Sequence, residues 1–167
     1  MRAELLPSAI TSVNLLAGVA ALIYTLQGSY HLGATMILVA AVLDGLDGKV
    51  ARKMGISSEF GKQLDSLADL VSFGVAPAML VFAWQLADLG MPGIAAAMAF
   101  VLCGALRLAR FNVLNISGYF VGIPITLAGA FLAPVSWFAD DLPDYLIMGT
   151  IVFFSIMMVS NLKIRKY

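Results

Sequence analysis

Four aspartates, Asp44, Asp47, Asp65 and Asp69, stand inside a sequence that is otherwise almost wholly apolar. Asp44 and Asp47 are three positions apart and Asp65 and Asp69 are four apart, so on helices each pair occupies one face. A short antiparallel connection between the two helices can turn the pairs toward each other. Four hard oxygen donors suit Mg²⁺, Mn²⁺ or Ca²⁺ and not a soft metal. Without a cation, carboxylates so close could not all stay ionised. Two divalent ions about 3.5–4 Å apart would clamp a phosphoryl group and stabilise both the attacking and the leaving oxygens. In the same stretch Gly45, Gly48 and Gly61 remove side chains where a bulky ligand must approach the backbone. Arg52 can meet phosphate with a planar fork of donors. The set has the makings of a site for a pyrophosphate compound. The alternative is a solvated interfacial loop whose charges only anchor the protein.

The elements that must hold these groups are set by composition. The chain has 167 residues, 61% hydrophobic and 12% charged, with a mean hydropathy of +0.94, which excludes an ordinary soluble domain. About 20 apolar residues are needed per bilayer crossing, and the sequence divides into six such stretches. The expected class is an all-α integral membrane protein of six transmembrane helices, forming a single domain over 1–167. The first apolar run lacks a small-residue cleavage site and is expected to be a permanent span. Cys103 is the sole cysteine, so neither an intramolecular disulfide nor a cysteine metal motif is expected.

The ten basic residues fall at Arg2, Lys49 to Lys62, Arg107 and Arg110, and Lys163 to Lys166. Those are alternate connections, and the intervening ones carry no Lys or Arg. By the positive-inside rule both termini and the aspartate-rich loop are cytoplasmic, and the charged stretch sits near the cytoplasmic interface of the cell membrane. An ionisable side chain at bilayer depth costs at least ~2.5–3.5 kcal/mol, so charges retained there point to function.

The expected helices run from about Ser8 to Leu26, through Leu32 to about Arg52 with Gly55 as C-cap, and from Glu59 to Leu86 with Ser57 or Ser58 as N-cap and a kink at Pro77. The fourth ends near Val113, the fifth follows Pro124 and ends near Trp137, and the sixth covers about Tyr145 to Ser160. Gly93 and Ala97, spaced by four, allow close helix packing or a dimer seam. Thr11 and Asn14 share one face of the first helix; spacing alone makes them either interhelical glue or part of a site. Arg107 and Arg110, three apart at the same end as the carboxylates, suit recognition of an anion, whereas a lone interfacial Arg would only snorkel to the headgroups.

The pattern Asp44-x-x-Asp47-Gly48-x-x-Ala51-Arg52, eight residues, Gly61-x-x-x-Asp65-x-x-x-Asp69 resembles the signature of the CDP-alcohol phosphotransferases at every defining position. The resemblance implies that family's six-helix membrane fold, usually dimeric, and transfer of a phosphatidyl-type group from a CDP-linked lipid to a small alcohol with release of CMP. It implies that Asp44, Asp47, Asp65 and Asp69 bind two divalent cations, Mg²⁺ or Mn²⁺, and that Asp69 is also the catalytic base. Gly48, Ala51, Arg52 and Gly61 would contact the CDP part of the lipid, with Thr11 and Asn14 closing the nucleotide site.

Three further segments, Leu67 to Ala78, Arg107 to Asn112 and Phe120 to Pro124, look like those of the phosphatidylserine synthases within this family. Resemblance runs from Leu6 to about Pro124 and weakens through the last two helices. It implies an L-serine acceptor bound by Arg107, Arg110 and Asn112, and CDP-diacylglycerol or CDP-archaeol as donor. Paired arginines would bind a phosphate-bearing acceptor too, so glycerol 3-phosphate, inositol phosphate or an amino alcohol remain alternatives. A divalent-cation transporter is a further one, against which no polar track continues to the outer side. Membrane lipids and a second copy are the expected partners, and no nucleic acid.

Overall fold

The computed structural model describes residues 5–54, 58–114, 119–135, 137–138, 142–160 and 163–165. Among them the chain forms six helical rods: α1 (Leu5–Leu26), α2 (Tyr30–Met54), α3 (Glu59–Leu89), α4 (Met91–Leu114), α5 (Ile125–Val135) and α6 (Asp144–Val159). The cap expected at Gly55 lies outside the described residues. Three of the rods contain spans long and apolar enough to cross a membrane, Ala9–Leu26, Glu59–Leu89 and Met91–Val113. The apolar parts of the others are shorter, at Tyr30–Leu46, Ile125–Val135 and Asp144–Val159. The described part of the fifth helix runs to Val135, just after Pro134, near the expected end at Trp137.

One small departure from a wholly helical chain is a ribbon of two three-residue strands, β1 (Tyr119–Val121) and β2 (Lys163–Arg165). They pair antiparallel with Phe120 opposite Ile164. Aromatic and β-branched residues favour strand, and the ribbon ties the stretch before α5 to the segment after α6.

Many large apolar side chains point outward, and the core beside Phe73 and Phe100 is rich in small residues. Leu16, Leu26, Met98, Leu102, Leu127 and Ile156 are all exposed, while Ala21, Ala34, Ala40, Ala76, Ala78, Ala128 and Ala133 are fully buried. In water such a surface would aggregate; against lipid, where tails are as apolar as leucine, it costs nothing and helices associate through close-packed small residues. The widest contacts are α1 on α2 and α1 on α3, and α4 packs on both α3 and α6. Gly93 presses on the Leu86 carbonyl of the same chain, so its small size serves the α3–α4 turn. At the end away from the aspartates, Tyr30 stacks on Trp84 at 5.1 Å, His31 meets the same indole edge-on at 5.0 Å, and the Tyr30 hydroxyl donates to the Ala83 carbonyl.

The kink expected at Pro77 takes a specific form. Proline has no N–H for the carbonyl four residues earlier and its ring crowds that carbonyl. Here that carbonyl belongs to Phe73, and the helix widens to π geometry over Leu70–Val75, with the Ala76 N–H donating back to Val71. The freed region is covered by α5: a Cβ on Gly129 would lie 2.5 Å from the Phe73 carbonyl oxygen. The wide turn begins directly after Asp69 and so belongs to the frame of the candidate site.

Candidate functional site

The site is built where α2 ends and α3 begins. Ser58 starts α3 as its N-cap, its Oγ accepting from the Gly61 N–H at 3.0 Å, a contact worth ~1 kcal/mol. Glu59 in the first turn favours the positive end of the helix dipole. Its exposed 2.8 Å ion pair with Lys62 adds little. One and two turns on stand Asp65 and Asp69, and Asp44 reaches them from α2. One carboxylate oxygen from each of Asp44, Asp65 and Asp69 lies within 4.8 Å of the other two. Asp44 and Asp65 are half-buried, and Asp69 Oδ1 is shut off from solvent.

Three oxygens so arranged fit a hard divalent cation by donor type and spacing, and like charges at that distance need one to remain ionised together. The structure thus brings together three of the four expected metal ligands. The side chain of Asp47 lies outside the described residues, as do those of Ala51 and Arg52. Gly48 is exposed and Gly61 half-buried on the facing helix ends, with no side chain to obstruct a ligand.

From α1, Thr11 and Asn14 face inward at 3% and 1% exposure. Asn14 Oδ1 is buried with no hydrogen-bond partner among the described residues. An unmet buried acceptor costs ~1–3 kcal/mol, an expense that a bound donor would remove. The backbone at the same residue is engaged: Ser72 Oγ donates to the Asn14 carbonyl at 3.1 Å. Ser72 sits in the π segment and is fully buried, so the widened turn after Asp69 is what locks α1 against α3. Gly18, one turn along the same face of α1, also lies against Ser72. A Cβ there would collide with Ser72 Oγ and come within 2.8 Å of Ser72 Cα. Gly18→Ala should therefore push α1 from α3, lowering thermal stability in detergent by about 1–3 kcal/mol and weakening CDP-lipid binding.

From α4, Arg107 is half-buried and lies within electrostatic reach of Asp69. Its guanidinium carbon is 5.9 Å from the Phe111 ring centre, and its Nε is buried without an acceptor among the described residues. Arg110 is exposed. The two arginines thus differ in setting although they share a side of the helix: Arg107 turns inward to the acidic cluster and Arg110 stays at the rim. Asn112 is half-buried and donates from Nδ2 to Ser66 Oγ at 2.9 Å. Ser66, Ser72 and Gly18 were not singled out by sequence spacing. A serine among helical apolar residues gives no periodic signal, and only the fold reveals its partner.

The sequence profile described as CDP-alcohol phosphatidyltransferase matches residues 4–162. The chain is 42% identical over 159 residues to the CDP-diacylglycerol–serine O-phosphatidyltransferase of Methanocaldococcus jannaschii, covering 95% of this chain and 72% of that protein. It is 38% identical to the Bacillus subtilis protein of the same name, covering 95% and 88%. Identity to the archaetidylserine synthase of Methanothermobacter thermautotrophicus is 36% over 163 residues, covering 95% and 68%.

Proposed function

The chain belongs to the CDP-alcohol phosphatidyltransferase family, and on that premise we propose that it transfers a phosphatidyl or archaetidyl group from a CDP-linked lipid to the hydroxyl of L-serine, releasing CMP, in phospholipid synthesis. Relatives named for serine as acceptor support the choice. The observation that carries the chemistry is the convergence of Asp44, Asp65 and Asp69 from two helices within 4.8 Å, with the Arg107 charge beside them.

In this reading Asp44, Asp47, Asp65 and Asp69 hold two divalent cations, Mg²⁺ or Mn²⁺. Such ions, when bound, neutralise the pyrophosphate and the charge on departing CMP. Thr11, Asn14, Gly48, Ala51, Arg52 and Gly61 bind the CDP part, and the buried Asn14 Oδ1 accepts from one of its donors. Arg107 and Arg110 bind the carboxylate of serine, and Asn112 contacts the same substrate. Asp69 takes the proton of the serine hydroxyl. The serine oxygen then attacks the lipid-side phosphorus, forming the new P–O bond as the bond to CMP breaks.

Placement follows from charge. Six spans, cytoplasmic termini and a site facing the cytoplasm from the cell membrane are supported by the alternation of basic and non-basic connections, and a homodimer is the assembly that the family resemblance implies. The decisive experiment incubates purified protein with labelled CDP-lipid, Mg²⁺ or Mn²⁺, and L-serine, glycerol 3-phosphate, inositol phosphate or ethanolamine in turn. CMP and a new lipid are expected with serine alone. Equal or faster turnover with another acceptor would overturn the serine assignment, and metal uptake into vesicles without CMP release would overturn transferase activity.

A further inference from the structure

The acceptor side of the site contains one contact that neither the charge pattern nor the eight-residue signature uses. The hydrogen bond from Asn112 Nδ2 to Ser66 Oγ joins residues 46 positions apart. It fastens the last turn of α4 to α3 at the residue after Asp65. A primary amide has two chemically opposite ends, an NH₂ that only donates and an oxygen that only accepts. With Nδ2 held by the Ser66 hydroxyl, Oδ1 is the end left for a ligand. Arg107, five residues earlier on the same helix, has donors only, and its buried Nε has no acceptor among the described residues. This part of α4 therefore combines donors for an anion with an acceptor for a cation. An α-amino acid carries both charges on one carbon, while polyol phosphates carry no ammonium.

We infer that Ser66 is a positioning residue for acceptor selection: it holds the Asn112 amide with Oδ1 toward the acceptor, where Oδ1 takes a hydrogen bond from the ammonium of an amino-acid acceptor. The inference rests on the serine reading above. Without Ser66 the Asn112 side chain loses its anchor on α3 and samples other rotamers, so its amide oxygen meets the ammonium less often.

The test compares wild type, Ser66→Ala, Ser66→Thr and Asn112→Ala in steady-state assays with CDP-lipid and Mg²⁺ or Mn²⁺. It uses 3-hydroxypropanoate, which is serine without its amino group, as a competing inhibitor. Ser66→Ala should raise the serine KM roughly 3–10-fold, the range of one ordinary hydrogen bond. The kcat, the CDP-lipid KM and the 3-hydroxypropanoate inhibition constant should stay within about twofold of wild type, below that same range. Ser66→Thr should restore the serine KM. Should Ser66→Ala fail to accumulate in the membrane, Ser66→Cys, similar in size but a poor acceptor, is expected to give the same split. An unchanged serine KM in Ser66→Ala beside a raised one in Asn112→Ala defeats the positioning role alone. An unchanged serine KM in Asn112→Ala defeats the assignment of Asn112 on which it rests. A parallel loss in kcat and both KM values, or a Thr variant that behaves like Ala, means that Ser66 only supports the fold.

Discussion

Asp69→Asn should lower turnover by roughly 10²–10⁴-fold, the usual contribution of a positioned general base, while CDP-lipid binding remains measurable. The substitution keeps the shape of the side chain and one oxygen, and removes the charge and the ability to take a proton. The surroundings favour this residue over its neighbours for the role. Asp69 has an oxygen closed to solvent, stands at the junction with the π segment, and is the carboxylate that interacts with Arg107, the side chain proposed to hold the acceptor. A base must lie beside the acceptor, and the electrostatic influence of Asp69 on Arg107 links it to the acceptor side. Asp65→Asn is the control: it removes a proposed metal ligand from the same helix face but no base. Activity lost in Asp65→Asn should return as the divalent ion is raised, and activity lost in Asp69→Asn should not. Full activity in Asp69→Asn would refute the base assignment.

Much of this arrangement was legible in the sequence because its signals are periodic. Pairs of aspartates at three and four positions can only share a helix face, and a serine followed by an acidic residue marks the start of α3, as Ser58 and Glu59 do. Long apolar runs announced the rods, and an interruption by Gly28 and Ser29 announced the turn between α1 and α2. The last turn of α5 was less legible, since Pro134, ordinarily a helix breaker, lies inside the helix there.

What periodicity could not carry is how one helix meets another. The π segment adds a residue to the turn, so every position after Asp69 points differently from its place on an ideal helical wheel. Ser72 thereby meets Asn14 and Gly18 of α1, and no wheel drawn through Pro77 gives that pairing. The same holds for Arg107 and Arg110. Their spacing put them on one side of α4, but tilt and packing decided that the first is half-buried near Asp69 and the second exposed. Ser66 and Asn112 needed the crossing of α3 and α4, a relation between segments 46 residues apart.

Chelation of divalent ions should abolish CMP release, and added Mg²⁺ or Mn²⁺ should restore it. The three-carboxylate cluster gives this expectation a second, opposite consequence for stability. Within 4.8 Å of each other, two carboxylate charges repel by on the order of 3 kcal/mol at an effective dielectric of ~20. In the chelated protein no cation stands between the carboxylates, so neutralising one member should not harm the fold. Asp44→Asn is therefore expected to melt no lower than wild type when both are metal-free, measured by thermal denaturation in detergent. With metal present the order should reverse, because a cation that binds the folded state stabilises it in proportion to its affinity. Loss of an outer-sphere partner alone costs ~10–100-fold in metal affinity, and loss of a ligand should cost no less. The metal concentration needed for half-maximal activity in Asp44→Asn should rise by at least that factor. An Asp44→Asn protein that melts well below wild type without metal would mean that the cluster is a structural polar network, and the proposed metal site would fall with it.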